Sequence, residues 1–313
     1  MISPLLVSAL IYSSLLSLLC VGYTLTYLTA RVPNFAHGTM AVIGMYVSFT
    51  AARIWKVNPY YTLPLASLFV ALVSLAIYVL VLETMQRFGV SMISISIATI
   101  ACEIIIIAIM SIYAEWVLST HKVISRGFML REFDFVIFNL PGVLIVSMAI
   151  LIGLVTILHI MLNKTIFGIS LRAVVEDPSL ALAQGVNTNL IIRASWVFTG
   201  CLAGLAGALL PIWFIGDVDM GSIVLVSIMA GSILGGLSNI YGAIIGGMIV
   251  GLMEILGTYF IASRIGSWIM PYRLVIPLAI MSITLLIIPG GITSVLASEK
   301  TKLIVRKLKT WRR

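Results

Sequence analysis

Residues 220–253 read MGSIVLVSIMAGSILGGLSNIYGAIIGGMIVGLM, without a single Asp, Glu, Lys or Arg. About 20 apolar residues already cross a bilayer as a helix, so this run is too long for one span. The breaker cluster Gly235-Gly236-Leu237-Ser238-Asn239 divides it into two shorter ones. Further charge-free runs extend from Ile2 to Ala30, Val57 to Leu82, Phe135 to Asn163, Ala194 to Gly216 and Leu274 to Ser298. Gly38 to Ala52 and Met92 to Tyr113 are shorter candidates, the second interrupted by Glu103. The expectation is an all-α polytopic membrane protein with about nine transmembrane helices, within a range of eight to ten. Composition agrees: 61% of residues are hydrophobic and 10% charged, against about 25% charged in soluble domains.

The first run lacks a basic leader and a small-x-small cleavage site, so it reads as a retained helix rather than a secretory signal. The basic tail, Lys300, Lys302, Arg306, Lys307, Lys309, Arg312 and Arg313, belongs in the cytoplasm by the positive-inside rule. Nine spans then put the N-terminus outside. That threading places twelve basic residues inside (Arg31, Arg87, Lys164, Arg172, Arg193 and the seven of the tail) and seven outside. The net charge of +8 is an anchor on anionic headgroups of the lipid bilayer; basic residues are not interleaved with a soluble fold, which argues against nucleic acid. The expected layout is a transmembrane domain over 1–292, with an extracytoplasmic segment at 114–140 and a cytoplasmic loop at 163–192, followed by the basic cytoplasmic tail at 293–313. The alternation in Phe133 to Phe138 is compatible with a short hairpin on the outer segment.

Inside the cytoplasmic loop, residues 171–187 read LRAVVEDPSLALAQGVN. Asp177 suits an N-cap, Pro178 the first helical position, and Gly185 a left-handed C-terminal stop, which encloses a helix of about seven residues. So short a helix is unstable alone in water and must be held by something else, for which a cytoplasmic partner is the natural candidate. The plainer reading is a solvated loop with incidental cap residues. No Gly-Lys dipeptide occurs, which excludes a P-loop, so the chain is not expected to hydrolyse ATP and reads as a non-enzyme. Cys20, Cys102 and Cys201 are scattered, and His37, His121 and His159 share no ligand spacing with them; neither a disulfide, a metal nor a cofactor is expected.

Glycine falls at helical spacing in two places, Gly200, Gly204 and Gly207, and then Gly242, Gly246, Gly247 and Gly251. Such ridges let helix backbones approach closely in lipid, either inside one subunit or at a subunit interface. Pro33 breaks the first helix, and unwound backbone in a membrane is tolerated only where protein buries it or it lines a cavity. Asn34, Phe35, His37 and Gly38 are therefore either pathway residues or a turn in which Asn34 and His37 cap the next helix. Glu254 and Glu103 are the acids expected within spans, as functional groups or as interhelical hydrogen-bonding struts.

Four of these stretches, Asn34-Phe35-Ala36-His37-Gly38, Arg172 to Gly185, Ala203-Gly204-Leu205-Ala206-Gly207, and Ile233-Leu234-Gly235-Gly236-Leu237 followed by Gly242 to Gly247 and Glu254, stand in an order that resembles the permease subunits of branched-chain amino acid ABC importers, more narrowly the shorter of their two permease types. The resemblance covers about Leu10 to Ile292. It implies that the capped island is a coupling helix, with Arg172, Glu176, Asp177, Pro178, Leu180 and Gly185 at the contact with an ATPase. It also implies two ABC ATPase subunits, a second permease in a heterodimer, an extracytoplasmic solute-binding protein and a prokaryotic plasma membrane. Thr39 stands where relatives often have an acid, Tyr241 where a proline is common, and Ile288 to Ile292 lacks the usual arginine. Alternatives are a permease for urea or short amides, or an ion-coupled secondary transporter.

Overall fold

The computed structural model describes residues 3–297, and the basic tail beyond lies outside the described residues. The chain is almost wholly helical. α1 (Pro4–Ala30) starts on a Ser3 cap, whose hydroxyl accepts the Leu6 N–H, and is followed by α2 (His37–Arg53). α3 (Leu63–Ile77) passes through a π-helical turn, Tyr78–Leu82, into α4 (Glu83–Arg87). α5 (Met92–His121) and α6 (Gly142–Lys164) follow, then α7 (Ile166–Glu176), α8 (Pro178–Ala183) and α9 (Thr188–Trp213). α10 (Met220–Gly235) and α11 (Ile240–Leu252) come next, and α11 continues through a second π turn, Met253–Gly257, into α12 (Thr258–Ile265). α13 (Val275–Ile287) and α14 (Gly291–Ala297) close the described chain. Among the described residues seven helices are long and apolar enough to cross a membrane, and α10 is a shorter apolar helix.

The break between α10 and α11 falls at Gly236–Asn239, where the breaker cluster placed it; the Asn239 side chain caps α11 by accepting from Tyr241 N and Gly242 N. Two boundaries differ from the sequence reading. α5 runs on to His121, so residues 114–121 are helical rather than part of a mixed outer segment; Ala114 and Val117 are buried, and Lys122 ends the helix at φ +55. The run Leu274 to Ser298 supplies one candidate span, Val275–Val295, but in two pieces, because Pro289 cannot continue α13 and Gly291 stands at φ +71. The expected hairpin is minimal: β1 (Val136–Ile137) pairs with β2 (Leu140–Pro141) across Phe138 and Asn139, both at positive φ.

α9 is the packing centre, in contact with α1, α2 and α3, while α11 lies between α1 and α10. Of the most apolar stretch of each helix, 78% is buried in α1 and α9 but only 22% in α5, so α5 presents Ile104, Ile105 and Ile112 to the lipid. The glycine ridges explain the close centre. A side chain at Gly200 or Gly204 would strike the backbone of α3 at Ala71 or Ala66, and one at Gly207 would strike Ala41 of α2. On α11, Gly242 and Gly246 face the backbone of Gly235 and Gly231 on α10, while Gly247 and Gly251 face Ser17 and Ser13 of α1. Hydroxyls bridge the contacts this creates: Ser74 donates to the Trp196 carbonyl at 2.8 Å, Ser48 to Ala208 at 2.9 Å and Thr199 to Gly22 at 3.0 Å. Both ridges are thus occupied inside this subunit.

Polar contacts gather at two opposite ends. One joins Arg53 to Glu132, Tyr60 to Asp134 and Trp213 to Ser8. The other joins Arg31 to the end of α7, Arg193 to Glu83 and Asn163 to Tyr241. Gly153 on α6 has nothing within 4 Å of where a Cβ would stand, and it supplies a control for the ridges. Gly204→Leu and Gly246→Leu should each prevent recovery of a monodisperse protein from detergent, because overpacking against backbone costs about 3 kcal/mol or more. Gly153→Leu should elute like the native chain in size-exclusion chromatography.

Candidate functional site

The polar island folds as two helices meeting at one residue. Leu171 to Glu176 belong to α7, so Arg172 and Glu176 sit on that helix with exposed side chains, and the capped rod is the six-residue α8 that follows. Asp177 serves both. Its N–H bonds the Ala173 carbonyl at the end of α7, and its carboxylate accepts from Ser179 N at 2.9 Å, Leu180 N at 3.1 Å and the Ser179 hydroxyl. Pro178 occupies the first helical position. At the other end Gly185 stands at φ +86, with Gly185 N bonded to Leu182 O and Val186 N to Ala181 O, the paired bonds of a Schellman stop. The Ser179 hydroxyl and the Leu180 and Ser179 amides hold the Asp177 carboxyl below its ordinary range, with Arg31 adding to the effect.

Two cations that the sequence reading left unassigned make bonds at this end, one to α7 and one between α9 and α4. Arg31, at φ +56 just past the end of α1, donates its Nη2 to the Val175 and Glu176 carbonyls at 2.9 and 3.2 Å, so a cation caps the negative end of α7. Arg193, in the second turn of α9, grips Glu83 with two parallel bonds, Nε to Oε2 at 2.9 Å and Nη2 to Oε1 at 2.8 Å. Arg87 adds a third donor to Oε1 at 2.6 Å. Glu83 is 4% exposed, and three donors from two cations satisfy it. Its signal was readable: an acid at the edge of the Val57 to Leu82 run with Arg87 four residues on. α8 itself turns Ala181 inward and leaves Leu180 and Leu182 more than half exposed.

Glu254 lies in the second π turn, fully buried, and its partners come from three directions. The Tyr12 hydroxyl of α1 reaches its oxygens at 3.0 and 3.1 Å, the Ser227 hydroxyl of α10 donates at 2.7 Å, and Arg273 Nε approaches at 3.5 Å. Every partner is able to donate to its oxygens. Arg273 is the missed residue; it stands in sequence beyond α12 but folds back over the Tyr12 ring. Glu103 receives the Ser222 hydroxyl at 2.7 Å on α5 and is half-buried. Asn34 and His37 are buried and far from α8, and neither caps α2, whose N-cap is Ala36 with no side-chain bond. Phe35 and Gly38 pack beside them, Phe35 N–H bonding Thr99 Oγ1 and Gly38 pressed against Gly221 of α10. The structure therefore brings the island residues together at one end, and holds Glu254 and residues 34–38 apart from it. No group of three or more His, Cys, Asp or Glu able to hold a metal occurs among the described residues.

Glu254→Leu should leave the Tyr12 and Ser227 hydroxyls and Arg273 unpaired and cost about 2–4 kcal/mol, whereas Glu254→Gln keeps the shape and most bonds and should lose less than half of that, read by thermal unfolding in detergent. For Asp177 the sign is that of a depressed carboxylate. Its contribution is fully present above the unfolded value near pH 3.9 and is lost only as pH falls through the lower folded value. Protease protection of residues 165–190 should accordingly stay constant from pH 8 to pH 5 in the native chain and drop throughout that range in Asp177→Ala.

Residues 5–285 match the family model described as the branched-chain amino acid transport system / permease component. The chain is 42% identical to LivH of Methanocaldococcus jannaschii over 289 residues, covering 92% of this chain and 91% of that protein. It is 30% identical to LivH of Escherichia coli K12, covering 88% and 90% of the two chains, and 28% identical to BraD of Pseudomonas aeruginosa, covering 92% and 94%. The names of all three describe branched-chain amino acid transport permease proteins. No solved structure matches. With a match across most of its length and a bundle of apolar helices built to sit in lipid, the chain belongs to the branched-chain amino acid transport permease family, as a multi-pass transport subunit of a prokaryotic plasma membrane and not an enzyme.

Proposed function

We propose that this chain is the permease subunit of an ATP-driven importer of branched-chain amino acids, and that α8 is the helix through which ATP hydrolysis in a separate subunit moves the membrane bundle. The observation that carries the reading is α8 itself: a rod capped at both ends, showing Leu180 and Leu182 to solvent beside Asp177 and Gln184. Exposed leucines on a polar, non-membrane segment mark a protein contact. Ile166 and Ile169 of α7 and Leu190 of α9 are also exposed on the segments flanking α8. An ATPase groove that seats this face can push on α1 through Arg31 and on α4 and α9 through Glu83 and Arg193. Arg172, Glu176, Asp177, Pro178, Leu180 and Gly185 form the contact or shape it.

In this reading α8 and the end that carries Arg31, Arg87 and Arg193 are cytoplasmic. Counting α2 and α10 with the seven longer spans gives nine crossings, an external N-terminus and a cytoplasmic C-terminus. The grouping of helix ends into two polar layers supports that alternation, as does the excess of basic residues on the inner side. The membrane domain extends over 1–292, with the loop 163–192 inside, the part of the segment 114–140 beyond the end of α5 outside and the tail 293–313 on the cytoplasmic face. Two ATPases, a second permease paired with this chain and an extracytoplasmic binding protein complete the importer. The translocation path passes the α1–α2 break at Asn34, Phe35, His37 and Gly38, with Glu254 as a strut beside it. The names of the relatives support the branched-chain solute.

Since Ala181 points inward, Leu182→Cys is the better probe, in a chain with Cys201 replaced. An impermeant thiol reagent should label it in inside-out vesicles and not in intact cells; labelling of intact cells would reverse the topology. Leu180→Asp should lower ATP-dependent leucine uptake in reconstituted vesicles at least tenfold without lowering membrane yield. Uptake that proceeds without ATP and follows a pH gradient would replace the importer with a secondary transporter.

A further inference from the structure

The link between α1 and α2 does not stay at the surface. α1 ends at Ala30, yet His37 lies against the middle of that helix, its Nε2 2.9 Å from the Leu19 carbonyl and its ring close to Gly22. Leu19 precedes Ala30 by eleven residues (30 − 19), about 16 Å of helix at 1.5 Å per residue. Six residues from Arg31 to His37 can span roughly 20 Å when extended, so the chain turns at Arg31 and climbs back into the bundle. Thr99 of α5 holds it there, donating to the Pro33 carbonyl at 3.2 Å and accepting from Phe35 N at 3.3 Å. α2 therefore begins deep inside the protein, and no side chain caps its positive end.

The polar groups at this start are unsatisfied. Asn34 is 1% exposed and neither Nδ2 nor Oδ1 has a partner; His37 is fully buried, and its Nδ1 has none. Because Nε2 faces a carbonyl it carries the ring proton, assigned from that partner, and Nδ1 is left as a bare acceptor. Buried polar groups in folded proteins are bonded almost without exception, and this pair sits where the backbone is already broken. The sequence thus maintains, in the bundle interior, one amide donor, two acceptors and a helix N-terminus with no internal use for them. That set complements a zwitterion. We propose that Asn34 and His37 form a station for the charged head of an α-amino acid in transit, with Asn34 Nδ2 and the α2 N-terminus taking the carboxylate and Asn34 Oδ1 and His37 Nδ1 taking the ammonium group. The assignment rests on the amino acid importer reading. It adds that the permease itself, and not only a binding protein, contacts the solute's head.

Asn34→Leu separates a station from a buried polar residue, because leucine has the same number of side-chain heavy atoms with the same branching and removes both unpaired groups. The complete transporter, this chain with its second permease, ATPases and binding protein, is reconstituted in vesicles, and radiolabelled leucine uptake is measured together with ATP hydrolysis. In Asn34→Leu, leucine imported per ATP should fall at least tenfold while hydrolysis stimulated by the binding protein stays within twofold of native. If that complex is not recovered, Asn34→Ala, which removes both groups and adds no bulk, carries the same expectation. Full uptake in Asn34→Leu, or equal loss of uptake and hydrolysis in the recovered variant, would overturn the station. A native complex that hydrolyses ATP but imports no amino acid would instead overturn the underlying importer reading, and the station with it.

Discussion

Helices in lipid gain nothing by hiding apolar surface from hydrocarbon, so this fold depends on how closely the backbone of α9 can approach its neighbours. Gly200 and Gly204 admit α3, Gly207 admits α2, and α11 repeats the device against α1 and α10. Once backbones touch, serine and threonine hydroxyls reach carbonyls on the facing helix, as Ser74, Ser48 and Thr199 do. Close approach and interhelical bonding are therefore one arrangement. It gives α1 and α9 a mostly buried surface and leaves α5 and α13 as a lipid-facing rind.

Charge is handled by the same economy of space. Both of the most buried acids stand at π-helical turns, Glu83 just after Tyr78–Leu82 and Glu254 within Met253–Gly257. Such turns interrupt regular helical bonding and are frequent at functional places. Each acid is met by arginine and by donors from other helices, so neither charge is left alone in the bundle. Glu83 joins α4 to α9 at the end where α8 projects, and Arg31 joins α1 to α7 at that same end.

The α1–α2 link contrasts with this full pairing. Thr24 Oγ1, the Tyr78 hydroxyl and Trp196 Nε1 are single unpartnered atoms elsewhere in the bundle; at Asn34 and His37 three such polar atoms come together. Burial alone does not explain them, since Ser13, Ser14 and Ser17, equally buried on α1, each return their hydroxyl to a carbonyl of the preceding turn. Asn34 lies outside any helix and has no such option.

Much of this was legible in the residues alone, because it is local. Charge-free runs, the Gly235–Asn239 break, and the Asp177, Pro178 and Gly185 signals depend on chain neighbours only, and they specify the membrane class and the capped rod. Local signals misled at the end of α5, where Ala114 to His121 read as a mixed outer segment but continue the helix. Arg273, Arg31 and Arg193 could not be assigned from sequence, because a guanidinium is matched to a carboxylate or a helix end that only helix packing brings near. The depth of His37 beside Leu19 was hidden for the same reason: Pro33 announces a break, but the direction the chain takes after it depends on Thr99 of α5 and on Leu19 and Gly22 of α1. The sequence by itself determined that the chain lies in a membrane and carries a short capped helix, since hydropathy and capping act over a few residues. Only the tertiary structure decided which charges pair and where the broken helix begins, because those distances are set by backbones in contact across the bundle.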